Sequence, residues 1–477
     1  MDQTQSTYVS PLQTRYSSLA MRTLFGDQRK FSTWRRLWLS LAKAQKKLGL
    51  NISDLQIQQM AEHLDDVDFA KAAEYEKKLR HDVMAHIHTF GDLAPQARPI
   101  IHLGATSQFV VDNTDLILMR EAMGLLIGQL VNVIDAMASF ASRHRDLCCL
   151  GFTHFQPAQL TTVGKRAVLW AQDFLIDLTE LQYRLDTLQF RGVKGTTGTQ
   201  ASFLALFNGD HQKVKQLEKL VAADFDFTRI CAVTGQTYTR KIDAAIASSV
   251  ASIGASVHKF CNDVRLLAHL KELEEPFEES QVGSSAMAYK RNPMRSERAT
   301  GLARWLMDIS AGPLHTAAEQ WLERTLDDSA NKRLSIPEIF LTADAILQIA
   351  LNVAQGMVVY PAVIQAHVDA ELPFMATENI LMAAVQAGGD RQDLHERIRQ
   401  HSQAAAQQVK MLGKPNDLIH RLKKDKAFAS VDLDAIAKPE AFIGRAPQQV
   451  DEFIQDKVNP VLQKYRNLLG QKTDLKV

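Results

Sequence analysis

The chain has 477 residues, 46% hydrophobic and 23% charged, which is the balance of a soluble globular protein large enough for two or three domains. Lys and Arg number 55 against 54 Asp and Glu, so the basic excess needed for general nucleic-acid or membrane-surface binding is missing. Four cysteines in so long a chain do not make a disulfide scaffold, and the polar N-terminus has no apolar signal-peptide core, so a reduced, cytoplasmic protein is expected.

Taken in chain order, the elements are almost all helical. Ser32 and Ser53 are placed to cap helices beginning at Thr33 and Asp54, with Gly49 ending the first. Arg80-His81-Asp82 is followed by His86 and His88, but His81 and His86 are not spaced as an i, i+4 ligand pair, and no metal site is expected. Gly104-Ala105-Thr106-Ser107 has the composition of a cap or turn. The stretch Asn113 to Ala141 is apolar almost all round a helix and must be buried on every side. Read as too short and too polar for a bilayer, it is expected inside a bundle, one that subunits could share.

Gly151 to Gln159 reads as a loop with His154 at its centre, and a helix is expected from Ala158 to Phe190. The glycine-rich stretch Gly192 to Gln200 lacks a Gly-Lys-Ser/Thr ending and a preceding strand, which excludes a P-loop. Further helices are expected over Thr239 to Leu273 and Ile336 to Ala354, and the uncharged run from Ala345 to Val368 reads as too polar and interrupted to span a membrane. Strand alternation is scarce, so the expected class is all-α, with domains over 1–106, 107–359 (long central helices) and 360–477.

Two regions concentrate charge. Gly283-Ser284-Ser285-Ala286-Met287-Ala288-Tyr289-Lys290-Arg291-Asn292-Pro293, with Arg295 and Arg298 beyond it, sets four cations against the single carboxylate Glu297, in a loop whose amides can face an anion. Glu323 to Arg333 reads first as a salt-bridged helix end, although Arg324, Ser329 and Arg333 have the chemistry to hold a phosphate.

The run from Gly283 resembles the signature loop of the fumarase/aspartase superfamily, Gly-Ser-Ser-x-Met-Pro-x-Lys-x-Asn-Pro, with Ala288 standing in place of the usual proline. The resemblance covers nearly the whole chain and is closest to the long type of adenylosuccinate lyase. It is carried by Ser10 to Tyr16, Lys78 to His86, Thr153-His154-Phe155-Gln156-Pro157-Ala158-Gln159, Gly195 to Gln200, the loop with Arg295 to Arg298, and Arg324 to Arg333. It implies a homotetramer of three-domain helical subunits with a shared central bundle, each active site drawing on more than one subunit. The implied reactions release fumarate from adenylosuccinate, giving AMP, and from SAICAR, giving AICAR.

On the same resemblance, Ser284 is the general base and His154 the acid to the departing nitrogen. Arg15, Tyr16, Arg324, Ser329 and Arg333 are nucleotide contacts, mainly to phosphate. Arg80, His81 and Asp82 touch substrate, while Thr106, Ser107, Gln236, Lys290, Asn292 and Arg298 serve the succinyl side or the base. The chemistry fits these residue types. Removing a proton beside a carboxylate leaves a dianion that needs preorganised donors, and Lys290, Asn292 and loop amides can supply them. Imidazole, with an ordinary pKa of ~6.5, can hold or release a proton near neutrality. No metal or organic cofactor is required, and no nucleic acid or membrane is expected as partner.

Three other readings compete. Argininosuccinate lyase, fumarase and aspartase share the serine loop, but their substrates have no phosphate for Arg324, Ser329 and Arg333. A Ser-Ser-Lys amidase would form an acyl-enzyme, and its glycine-rich Ser-Ser context is missing. A structural descendant, such as the lens crystallins of this superfamily, would be expected to lose the Ser284, His154 and Lys290 that this chain keeps.

Overall fold

The computed structural model describes residues 6–278, 281, 286–473 and 475. Its N-terminal part is built of short helices: α1 (Asp27–Lys47), α2 (Asp54–Glu62), α3 (Phe69–Leu79) and α4 (Asp82–Leu93). Ser53 caps α2 in a full capping box, accepting from the Gln56 amide while its own amide donates to the Gln56 side chain. Gly49, just beyond α1, takes φ +100°, the left-handed backbone that a glycine tolerates after a helix. Ser32 is not a cap. Helix α1 starts at Asp27, and Ser32 is buried inside it, its hydroxyl accepting from Gln28 at 3.0 Å.

The centre is a bundle of five long helices: α5 (Ser107–Arg143), α6 (Val163–Thr187), α7 (Lys241–His269), α8 (Met294–Ile309) and α9 (Asp327–Gly356). Helix α5 packs on α6 and α9, while α7 packs on α6, α8 and α9. Most of α5 is buried, with Leu116, Met123, Leu130 and Met137 fully enclosed, but the expectation of burial on every side fails at Gly124 and Leu125, which are exposed. Gly164 lets α6 approach closely, because a Cβ there would lie 2.4 Å from the Ala141 carbonyl oxygen. Helices α5 and α9 are, by length and composition alone, long and apolar enough to cross a membrane, contrary to the sequence reading of both stretches. Each is largely buried in the bundle, as core helices of this length are.

The helix expected from Ala158 begins only at Val163. The preceding residues form a hairpin, β1 (Cys148–Thr153) paired antiparallel with β2 (Gln156–Thr162). The Gly192 to Gln200 segment is an irregular connection; Gly192, Gly195 and Gly198 all take positive φ and no P-loop is formed. After α9, the helices α10 (Pro361–Met375), α11 (Thr377–Gln386), α12 (Arg391–Leu412) and α13 (Leu418–Lys424) follow. Ile380, Leu394, Leu418 and Phe428 form a small second core, whereas Val450 and Val458 return to the main one.

Candidate active site

Apart from those of the signature loop, the residues singled out in the sequence fall into three places on the chain. The first is a cleft of ≈ 700 Å³ lined by Arg80, His81, Asp82, Ser107, Arg324, Ser329 and Arg333. Arg80 ends α3 in the left-handed conformation, φ 54°, and His81 is the N-cap of α4, its Nδ1 accepting from the Met84 amide at 3.3 Å. The tight break between two helices therefore presents Arg80, His81 and Asp82 together. Opposite, Ser329 and Arg333 share a face of the first turns of α9 at i, i+4, and Arg333 Nε donates to Ser329 Oγ at 3.3 Å. Arg333 also pairs with Asp82. Burial pushes the Asp82 carboxyl up, but the Arg333 hydrogen bond and charge outweigh it and hold the carboxyl below its usual range.

Arg324 ends a relay of side chains. Thr106 is the N-cap of α5 but makes no capping bond; its hydroxyl accepts from Gln236 Nε2 at 3.0 Å. Gln236 Oε1 in turn accepts from Arg324 Nη1 at 3.1 Å. Gln236 is set there by its backbone, whose amide donates to the Glu323 carbonyl at 3.0 Å. Gly235 permits that approach, since a Cβ on it would lie 2.4 Å from the same oxygen. Arg324 Nε is buried and has no hydrogen-bond partner among the described residues. A donor in that position is costly unless an acceptor arrives.

The second place is a cleft of ≈ 370 Å³ lined by Arg15, Tyr16, Arg22, Arg298, Gln348 and Lys472. Arg15 and Tyr16 end a short turn (Leu12–Tyr16) anchored by buried Leu12, and the following Ser18 fixes it to α9, donating to Asp344 from N at 2.6 Å and from Oγ at 2.9 Å. Burial is the largest influence on Arg298 and lowers its pKa, with Arg15 adding to the effect and Tyr16 opposing it. Sequence reasoning missed Arg22 and Lys472 here, because neither lies in a recognisable motif.

The signature loop enters beside α8. Ser284, with Gly283 and Ser285, lies outside the described residues. Both flanks are pinned: Glu275 accepts from the Arg295 and Ser296 amides and from Ser296 Oγ, each at 2.9 Å. Arg291 pairs with Glu274 at 3.3 Å and Arg295 with Glu278 at 2.9 Å. Two of the four cations are thus already matched by carboxylates outside the run, and its local charge count overstates its attraction for anions. Lys290 is exposed, and Asn292 is half-buried two residues before α8.

The third place is the tip of the β1–β2 hairpin. Thr153 pairs with Gln156, leaving His154 and Phe155 as a two-residue turn with φ 53° and 56°. Left-handed conformations at two non-glycine residues cost on the order of 1 kcal/mol or more each and hold the imidazole out from the sheet. His154 is exposed, and neither of the two clefts is lined by any residue of this hairpin.

Helix geometry separates these places within one chain. The first cleft touches α9 at Ser329 and Arg333, the second at Gln348, and a rise of 1.5 Å per residue puts Ser329 and Gln348 roughly 28 Å apart. The relay of the first cleft lies just before α7, whereas Phe155 beside His154 lines a pocket with Leu266 and Leu270 at the far end of α7, roughly 35–40 Å along the axis. Of the two other histidines in the N-terminal cluster, His86 is not solvated. It stacks on Phe31 at 3.7 Å between ring centroids, and burial pushes its pKa down to about 4.

Comparison with known proteins agrees with this architecture. A family model described as "Lyase" matches residues 29–307, and one described as "Adenylosuccinate lyase C-terminus" matches residues 373–453. The adenylosuccinate lyase of Saccharomyces cerevisiae is 53% identical over 97% of both chains, and that of Schistosoma mansoni 48% identical over 98% of this chain and 99% of its own. Among solved structures, the 3-carboxy-cis,cis-muconate lactonizing enzyme of Pseudomonas putida shares the fold, with a TM-score of 0.80 at 20% identity over 96% of this chain and 99% of its own. The all-α architecture is that of the fumarase/aspartase superfamily, and within it the chain belongs to the adenylosuccinate lyase family.

Proposed function

We propose that the protein eliminates fumarate from adenylosuccinate, giving AMP, and from SAICAR, giving AICAR, at sites completed by neighbouring copies in a homotetramer. Ser284, as alkoxide, takes a proton from the carbon beside a carboxylate. The electron pair forms the fumarate double bond as the carbon–nitrogen bond breaks, and His154 protonates the departing nitrogen. Lys290 and Asn292 face the dianion, while Arg324, Ser329 and Arg333 take the phosphate or a carboxylate of the substrate. No step in this scheme calls for a metal or an organic cofactor.

The observation that carries this reading is Arg324: a guanidinium held by Gln236 and Asp328 that lines one cleft with Ser329 and Arg333, its buried Nε lacking an acceptor among the described residues. An anionic oxygen satisfies that donor. The separation of the three residue groups along α7 and α9 supports assembly from several chains. The direct test is ultraviolet detection of fumarate release from adenylosuccinate, with argininosuccinate and malate as controls. Release from either control in preference to adenylosuccinate contradicts the proposal. Arg324→Ala should raise the KM for adenylosuccinate and the Ki of AMP by about 10- to 100-fold, the range of hydrogen bonds to a charged group.

A further inference from the structure

Behind Arg324 lies a buried charge network. Arg240, at the entry to α7, is 1% exposed and donates to Asp328 Oδ2 from Nε at 2.9 Å and from Nη2 at 2.6 Å, and to Asp112 Oδ1 from Nη2 at 2.9 Å. Asp328 then accepts from Arg324 Nη2 with its other oxygen at 3.4 Å. A second connection runs through Gln108. With its amide oriented to satisfy both ends, its nitrogen donates to Asp112 Oδ1 at 3.0 Å and its oxygen accepts from Arg324 Nη1 at 2.8 Å. Lys332 also donates to Asp112, at 3.1 Å, and the Tyr238 ring lies 4.5 Å from the Arg240 guanidinium carbon. Burial pushes the Asp112 carboxyl up, but Arg240, Lys332 and Arg191 outweigh it and hold it at about 2.

Burying so many charges is a poor way to gain stability, since desolvation consumes most of the Coulombic gain and a packed apolar core serves as well. What this arrangement does supply is direction. Two of the acceptors that hold Arg324, Asp328 and Gln108, are themselves fixed to the Arg240–Asp112 pair, while Gln236 accepts from Nη1 as well, so the fork has one orientation and Nε is left without a partner among the described residues. We infer that Arg240 is a positioning residue for ligand binding: acting through Asp328 and Asp112, it aims the Arg324 guanidinium at the substrate's anionic group. This deepens the reading of the cleft as a binding site for the substrate and rests on it.

The test is a mutant cycle with AMP as the probe. Arg240→Lys keeps the charge but cannot give Asp328 two donors while reaching Asp112. It should raise the Ki of AMP and the KM for adenylosuccinate about 10-fold, the effect of weakening one hydrogen bond to a charged group, with kcat changed less than about threefold. On an Arg324→Ala background the same substitution should add less than about twofold, because residues acting through one group are not additive. Asp328→Asn, which preserves shape, should behave like Arg240→Lys. Wild-type AMP affinity in a folded Arg240→Lys protein, or an effect that multiplies undiminished with Arg324→Ala, overturns the inference. Failure of both Arg240→Lys and Asp328→Asn to fold assigns the network to the scaffold alone and overturns it equally. If Arg324→Ala itself leaves AMP and adenylosuccinate binding unchanged, the reading of the cleft has failed at the earlier step.

Discussion

Ser284→Ala will reduce turnover of adenylosuccinate by roughly 10²–10⁴-fold while leaving substrate affinity close to that of the parent. The lost group acts only on the proton in flight, so its removal raises the barrier without weakening the ground-state complex. Serine is a weak base in water, and its activation depends on the cationic and dipolar surroundings of the loop. The described flanks are suited to that task. Glu275 accepts from three groups at the start of α8, and the Arg291–Glu274 and Arg295–Glu278 pairs hold the loop's base on the bundle. Ser285→Ala should be the milder change, and a reversal of the two effects would reassign the base.

His154→Asn should be nearly as damaging, lowering kcat by roughly 10²–10³-fold in both the elimination and the addition direction, because one transition state serves both. Asparagine is the informative replacement. It tolerates the left-handed backbone that His154 adopts at φ 53°, so the hairpin turn survives while the titrating imidazole is lost. A variant with an intact fold and wild-type rates removes His154 from the chemistry. A rate loss rescued by added imidazole strengthens its assignment as the acid.

Much of the fold was legible because burial leaves a pattern. The all-round apolar stretch from Asn113 to Ala141 has only one stable place, the inside of a bundle, and the Ser53 to Gln56 spacing states its cap directly. Ser32 shows the limit of such signals. A serine before a periodic run reads as a cap, yet α1 begins earlier, at Asp27, and encloses it. The hairpin at His154 was missed for a related reason: its two-residue turn carries neither Asn nor Gly, and tertiary context holds His and Phe in a conformation their intrinsic preferences oppose. Its strands end against α6, so local composition reads through into the helix.

The site was readable as residue types and less so as geometry. Arg80, His81, Asp82, Ser107, Arg324, Ser329 and Arg333 do meet in one cleft, Thr106 and Gln236 connect to it through Arg324, and Arg15, Tyr16 and Arg298 meet in another. The buried partners of these groups, Gln108, Asp112, Arg240 and Asp328, were not found. Periodicity says which positions are inside, but it cannot say which buried charge pairs with which across 88 or more residues of chain. The signal that existed was chemical: an aspartate and an amide within the apolar start of α5 must be satisfied by something, and that demand pointed to a network.

The central claim is that one active site takes Ser284, His154 and the Arg80–Asp82 segment from different chains. It is tested most directly by mixing two inactive parents, Ser284→Ala and His154→Asn, unfolding and refolding them together, and assaying fumarate release from the resulting hybrids. The account predicts that activity returns in the mixture, because some hybrid sites receive both intact residues, while neither parent recovers when treated alone. Verified hybrid assemblies that remain as inactive as their parents would contradict it, placing Ser284 and His154 of each site on a single chain.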